Sequence, residues 1–102
     1  MAHGDWKDMF KAVEQNDLEL LDFYIRQGVD LNYQHPEYFT GPLFEGIRLG
    51  NIETVKRLLE NGASVHEKEV MSGKNALELA KQKGNAEIIE FLIQKSLAPR
   101  DL

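Results

Sequence analysis

The feature that most constrains the fold is an internal repeat with a period of 34 residues. Gly50-Asn51 and Gly84-Asn85 stand 34 positions apart, and Asn16-Asp17 precedes the first of them by the same step. A small residue follows twelve positions after each mark, at Gly28, Gly62 and Ser96. Self-similarity at such a period is typical of solenoids, in which each repeat is one supersecondary unit. The sequence therefore predicts one domain, 1–102, of three stacked units, approximately 5–38, 39–72 and 73–102.

Within each unit the apolar residues recur at helical spacing. In the second unit they form one stripe while charged residues face outward; the stripe is Ile52, Val55, Leu58 and Leu59. Gly62 then ends the helix, since a left-handed residue after a helix favours glycine. A shorter helix opens earlier at Gly41-Pro42, where proline loses no helical hydrogen bond. Each unit is thus predicted to be a short helix, a tight turn, a longer helix and a loop, in an all-α fold.

This unit resembles the ankyrin repeat. The family's Thr-Pro-Leu-His start is similar to Gly41-Pro42-Leu43-Phe44 and Asn75-Ala76-Leu77-Glu78, and its Gly-Ala-Asp-Val-Asn ending to Gly28-Val29-Asp30-Leu31-Asn32 and Gly62-Ala63-Ser64-Val65-His66. The resemblance covers residues 6–97 and implies an ankyrin-repeat solenoid of three helix-turn-helix units joined by loops or hairpins. Because Thr and His are lost from the start motif, we expect the loops to be held less firmly to one another.

Composition narrows the possible functions. The chain has 17 acidic and 12 basic residues among 102, a net charge of −5, and no cysteine. Nucleic acid is not expected as a partner, because phosphate binding needs a local excess of Lys and Arg. There is no apolar segment long enough to span a membrane and no secretory signal pattern. We expect a cytoplasmic protein, although a bacterial effector secreted into a host would have the same composition.

The sequence predicts neither an enzyme nor a cofactor or metal site. Ser72-Gly73-Lys74-Asn75 echoes a phosphate-binding loop but lacks the upstream glycine and the hydroxyl after lysine. His35, His66 and Glu69 could lie close together in adjacent loops and supply metal ligands. They lie in loops without a fixed helical spacing, so they are poor candidates for a preorganised site.

A stacked helical array presents a concave surface, which such proteins use for binding. By the resemblance, partners contact the loop tips and the outward positions of the short helices, which here are Glu37, Tyr38, Thr40, Glu45, Arg48, Leu49, Met71, Lys74, Glu78, Gln82 and Lys83. Aromatic residues also crowd the first loop, at Tyr33, Tyr38 and Phe39. Two interpretations stay open for these rings: they cover the core, or they contact a partner.

These features favour a monomeric protein-binding module that acts as an adaptor, inhibitor or regulatory subunit. Residues 5–38 carry eight acidic and three basic side chains, net −5, whereas residues 73–102 carry four and five, net +1. This asymmetry suits a partner with a basic patch. Two alternatives remain, namely a structural piece that associates with itself and an acidic inhibitor that mimics nucleic acid.

Overall fold

The computed structural model describes residues 3–97, which form six α-helices in three hairpins. Their bounds are α1 His3–Glu14, α2 Leu18–Arg26, α3 Pro42–Leu49, α4 Ile52–Glu60, α5 Ala76–Lys83 and α6 Ala86–Leu97. The second helix of each unit, α2, α4 and α6, begins 34 residues after the one before it, at the predicted period. We call these the long helices and α1, α3 and α5 the short helices by their place in the repeat, although in the first unit α1 has 12 residues and α2 only 9, against the predicted order. In the described range, β-structure is limited to two isolated bridges, one in each inter-repeat loop. The all-α solenoid is confirmed.

The helices end where the sequence supplies residues that tolerate a left-handed backbone. Gly50 and Gly84 have φ of 73° and 77° at the ends of α3 and α5, and Asn16 has 54° at the equivalent place after α1. Pro42 occupies the first turn of α3. The third unit lacks this proline, and its short helix α5 instead begins at a capping box that Asn75 forms with Glu78.

The helices pack in two layers around one core. The first helices of the units, α1, α3 and α5, contact one another in sequence, α4 contacts α6, and each first helix packs on the second helix of its own unit. The largest fully buried side chains come from all three units and include Trp6, Met9, Ile47, Leu58, Ile88 and Leu92. The stack therefore shares a single apolar spine, with loops projecting at one edge.

An aromatic cluster joins α1 to the first inter-repeat loop. Trp6, near the start of α1, is fully buried and donates its indole N–H to the Tyr33 carbonyl oxygen at 2.9 Å. Its ring stacks on Phe10, and Tyr38 contacts both edge-on. Tyr33 and Tyr38 are half-buried in this way. For these two rings, the interpretation that they cover the core is the better one.

Candidate protein-binding surface

A buried carboxylate holds the two inter-repeat loops and α3 together. Glu69 is fully buried, and its oxygens accept hydrogen bonds from both terminal guanidinium nitrogens of Arg48, at 2.5 and 2.6 Å. The hydroxyls of Thr40 and Ser72 donate to the same carboxylate at 2.5 and 2.6 Å. We call these four residues the carboxylate network. Charge-assisted bonds of this kind are stronger than bonds between neutral groups.

The network determines the ionisation of its members. Burial alone would raise the pKa of Glu69, but hydrogen bonds from Arg48, Ser72 and Thr40 outweigh it and hold this pKa below its ordinary value. The hydrogen bond to Glu69 likewise raises the pKa of Arg48 above its ordinary value. Both groups are therefore charged at neutral pH, and the buried charge is compensated.

Two amides supply further bonds between the loops. Asn32 donates to the Gly62 carbonyl oxygen at 3.1 Å and accepts from the Ser64 amide at 2.8 Å. Gln34 donates to the Lys68 carbonyl oxygen and accepts from the Val70 amide, both at 2.8 Å. The two loops are therefore hydrogen-bonded to each other even though the start motif lacks its Thr and His, because other side chains link them.

The network also changes the role of two predicted contact residues. Thr40 is 4% exposed, and its hydroxyl is used by Glu69. Arg48 directs its guanidinium at the same carboxylate. The sequence predicts both residues at the contact surface, and in the structure their polar groups point inward at Glu69. Both residues therefore help to position the loops.

Three apolar side chains project from the tips of the two loops. Phe39, Val70 and Met71 are 51%, 64% and 55% exposed, and the Met71 amide donates to the Phe39 carbonyl oxygen at 2.8 Å. We call them the tip patch. The sequence leaves the role of Phe39 open and gives no signal for Val70, which follows the buried Glu69. Of the three residues, it predicts only Met71 at the contact surface.

Phe39 adopts a backbone conformation that phenylalanine rarely takes. Its φ is +58°, and Gly73, the residue 34 positions later, has a φ of +72°. The two loops therefore turn in the same way, with glycine in one and a bulky aromatic in the other. Left-handed conformation costs an L-residue about 1–2 kcal/mol. The ring does not tuck onto the core.

The short helices contribute an acidic region beside the loops. Burial, and then the nearby charge of Glu14, raise the pKa of the half-buried Glu45 above its ordinary value, and Glu69 acts in the same direction. Arg48 acts in the opposite direction and offsets this only in part. The Leu49 side chain, next along α3, is exposed.

The remaining predicted contact residues are charged or polar, whereas the tip patch is apolar. Glu37 is exposed and forms an ion pair with Lys7 at 2.9 Å, while Lys74 is half-buried. The other predicted positions are exposed on α5, namely Glu78, Gln82 and Lys83. These charged and polar groups suit the rim of an interface more than its centre.

Two further observations bear on other kinds of site. Among the described residues, no group of three or more His, Cys, Asp or Glu side chains is placed to hold a metal ion. The carboxylate of Glu69 is engaged by Arg48, and His35 lies in the aromatic cluster, where its Nδ1 accepts from the Glu37 amide. Within residues 3–97, no helix has the length and apolar character needed to cross a bilayer.

Comparison with known proteins agrees with this architecture. A family model of three ankyrin repeats matches residues 9–101, so the chain belongs to the ankyrin-repeat family, whose members are generally protein–protein interaction modules. The chain is 35% identical over 91 residues to the ankyrin repeat and KH domain-containing protein mask-1 of Caenorhabditis elegans. It is 29% identical over 84 residues to the putative ankyrin repeat protein FPV031 of fowlpox virus (strain NVSL). These alignments cover 89% and 80% of this chain but only 3% and 24% of the two relatives.

Proposed function

We propose that this chain is a non-catalytic binding protein that acts in the cytoplasm as an adaptor, inhibitor or regulatory subunit. One copy binds one partner protein through the tip patch and the exposed positions of the short helices, without a cofactor. The observation that carries the proposal is the tip patch, in which an exposed phenylalanine is kept in a strained conformation. A chain free of cysteine is compatible with a reducing compartment.

The tip patch has the properties of a binding hot spot. Strain at an exposed residue does not serve packing, and residues held in sparsely populated backbone regions cluster at functional sites. Aromatic residues and methionine are enriched at interfaces, where a large apolar side chain can be fully desolvated. Methionine also adapts its shape to the partner. The carboxylate network beneath holds both loops before binding, which lowers the ordering cost of association.

Charge indicates the chemistry of the partner. The carboxylates of Glu14 and Glu45 lie close enough to raise the pKa of Glu45, and the adjacent Arg48 is bound to Glu69. A lysine or arginine on the partner would relieve the repulsion between these carboxylates. The surface therefore fits a partner segment that places an apolar side chain on the tip patch and a basic side chain beside Glu45.

The proposal is tested by comparing captured proteins. Tagged wild-type chain and the double variant Phe39→Ser, Met71→Ser are used for affinity purification from the native source, followed by mass spectrometry. We expect the variant to lose the specific partner. Phe23→Ser is the matched control, because Phe23 is also exposed but lies on α2, away from the loops. Equal recovery of every captured protein by the double variant and the control would contradict the proposed surface.

A further inference from the structure

The two methionines in the described part of the chain differ in exposure. Met71 is 55% exposed at the tip of the second inter-repeat loop, whereas Met9 is fully buried in α1. The chain has no cysteine, so methionine supplies all of its sulfur. Oxidation of a thioether by a dissolved peroxide follows the exposure of the sulfur. Among the described residues, Met71 is therefore the methionine that such an oxidant reaches without unfolding the chain.

The backbone around Met71 is held by bonds that do not involve its side chain. Its amide donates to the Phe39 carbonyl oxygen at 2.8 Å. The turn that contains it is closed by the Ser72 hydroxyl, which donates to the buried Glu69 carboxylate at 2.6 Å. A chemical change confined to the Met71 side chain should therefore alter the surface of the loop and leave its conformation in place.

We infer that Met71 is a site of reversible oxidation that controls binding at the tip patch. The inference rests on the proposed function, because a change at Met71 acts on binding only if the tip patch contacts the partner. The oxidant is a hydroperoxide of the cell, such as hydrogen peroxide. Thiol-dependent methionine sulfoxide reductases reverse the modification.

The reaction balances with the peroxide as the only co-reactant. A lone pair of the Met71 sulfur attacks one peroxide oxygen, and the O–O bond breaks as the S–O bond forms. The proton of the transferred hydroxyl passes to the departing oxygen, which leaves as water. Sulfur is oxidised to the sulfoxide and the peroxide is reduced. In the reverse step, two thiols are oxidised to a disulfide and the sulfoxide oxygen leaves as water.

The sulfoxide turns an apolar contact into a polar one. Phe39 and Val70, the other members of the tip patch, are exposed apolar side chains. A partner surface that covers this patch removes water from Met71 as well. The sulfoxide oxygen is a hydrogen-bond acceptor, and burying it without a donor is unfavourable. We expect oxidation to weaken binding roughly tenfold.

Peptide mass spectrometry after limited treatment with hydrogen peroxide tests the site itself. In the folded chain, Met71 should gain an oxygen at least about tenfold faster than Met9, which becomes accessible only when the fold opens. In urea, the two rates should agree within about threefold. Circular dichroism should show the same helix content before and after oxidation of Met71. Equal rates in the folded chain, or loss of helix on oxidation of Met71, would overturn the inference.

Capture from the native source measures the consequence for binding. The samples are reduced wild type, wild type oxidised at Met71, and the oxidised chain repaired with a sulfoxide reductase and a dithiol. The oxidised chain should recover the partner about tenfold less, and repair should restore it. Met71→Gln, whose side chain is polar and of similar length, should behave like the oxidised chain. Met71→Leu forms no sulfoxide, so its recovery, at whatever level, should not change on peroxide treatment.

The double variant Phe39→Ser, Met71→Ser separates this inference from the proposed function. If the double variant loses the partner while the oxidised wild type recovers it fully, the control by oxidation is wrong and the proposed surface stands. If the double variant keeps the partner, both proposals are wrong. A loss of recovery by peroxide-treated Met71→Leu equal to that of the wild type would show that oxidation acts at another residue, which also overturns the inference.

Discussion

The guanidinium of Arg48 binds both carboxylate oxygens of Glu69, a residue 21 positions further along the chain. The pair links α3 to the second inter-repeat loop, and Thr40 links the first loop to the same carboxylate. Phe39 directly precedes Thr40, and Val70 directly follows Glu69. The carboxylate network and the tip patch therefore lie on the same backbone segments, with the network facing the protein interior and the tip patch facing solvent.

Replacing Arg48 by alanine should unfold the chain more easily, because it leaves the carboxylate of Glu69 buried without a counter-charge. Breaking a buried pair by removing one partner costs roughly 3–5 kcal/mol. Arg57→Ala is the matched control. It removes an arginine from a partly exposed pair with Asp22, where about 0–1 kcal/mol is expected. Urea denaturation followed by circular dichroism measures both. Equal losses would mean that the network contributes no more than a surface pair.

Acidification should weaken the fold through Glu69. Its folded pKa is lower than its ordinary value, so its ionised form contributes stability above the unfolded pKa of about 4.3. This contribution is lost as the pH falls through the lower folded pKa. We expect the free energy of unfolding of the wild type to fall as the pH decreases below about 4.3. Glu69→Gln should be less stable at pH 7 and should lose less on acidification. Parallel curves for the two proteins would contradict this assignment.

Glu45 should behave in the opposite sense. Burial and the neighbouring Glu14 raise its pKa, so its ionised form costs stability at neutral pH, and that cost disappears as the pH falls through the folded value. Glu45→Gln is therefore expected to raise the free energy of unfolding at pH 7. Glu67→Gln, at an exposed loop position, should leave it unchanged. The measurement is urea denaturation at pH 7. A Glu45→Gln variant less stable than the wild type would show that Glu45 is favourably paired.

The period of the repeat predicted the six helices because helix packing is itself periodic. Apolar residues at helical spacing and Gly-Asn turns repeated every 34 positions fix which faces meet, so the core follows from the pattern. The carboxylate network did not follow, since Glu69 lies in a loop and looks like its solvated neighbour Glu67. Its burial depends on Thr40 and Arg48, at separations unrelated to the period.

Part of the tip patch could be predicted from the sequence. Aligning the two loops places Phe39 in the column of Gly73, and a glycine in a tight loop suggests a left-handed backbone. That conformation directs the phenylalanine ring outward, which composition alone does not reveal. Val70 gave no such signal, because an apolar residue beside a loop acid is as often buried as exposed.

The two equivalent positions Gly73 and Phe39 should respond differently to substitution. Gly73→Ala should cost about 1 kcal/mol, since a Cβ there meets nothing within 4 Å and the penalty comes from the left-handed conformation alone. Phe39→Gly removes a similar penalty but also the buried half of the ring, so we expect a change smaller than about 1 kcal/mol. Thermal and urea denaturation measure both. A loss above about 3 kcal/mol for Phe39→Gly would mean that the ring is part of the core.

Trp6 should control the stability of the first unit and report on it. The ring is fully buried, stacks on Phe10 and donates its N–H to the Tyr33 carbonyl oxygen. As the single tryptophan of the chain, it should emit at short wavelength when folded and shift to longer wavelength on unfolding. Trp6→Ala should cost about 3–5 kcal/mol through the cavity it leaves. Trp6→Phe should cost less, because it keeps the stacking and loses mainly the hydrogen bond, worth about 1 kcal/mol. If both variants lost the same free energy, the bond to Tyr33 would dominate and the aromatic packing would not.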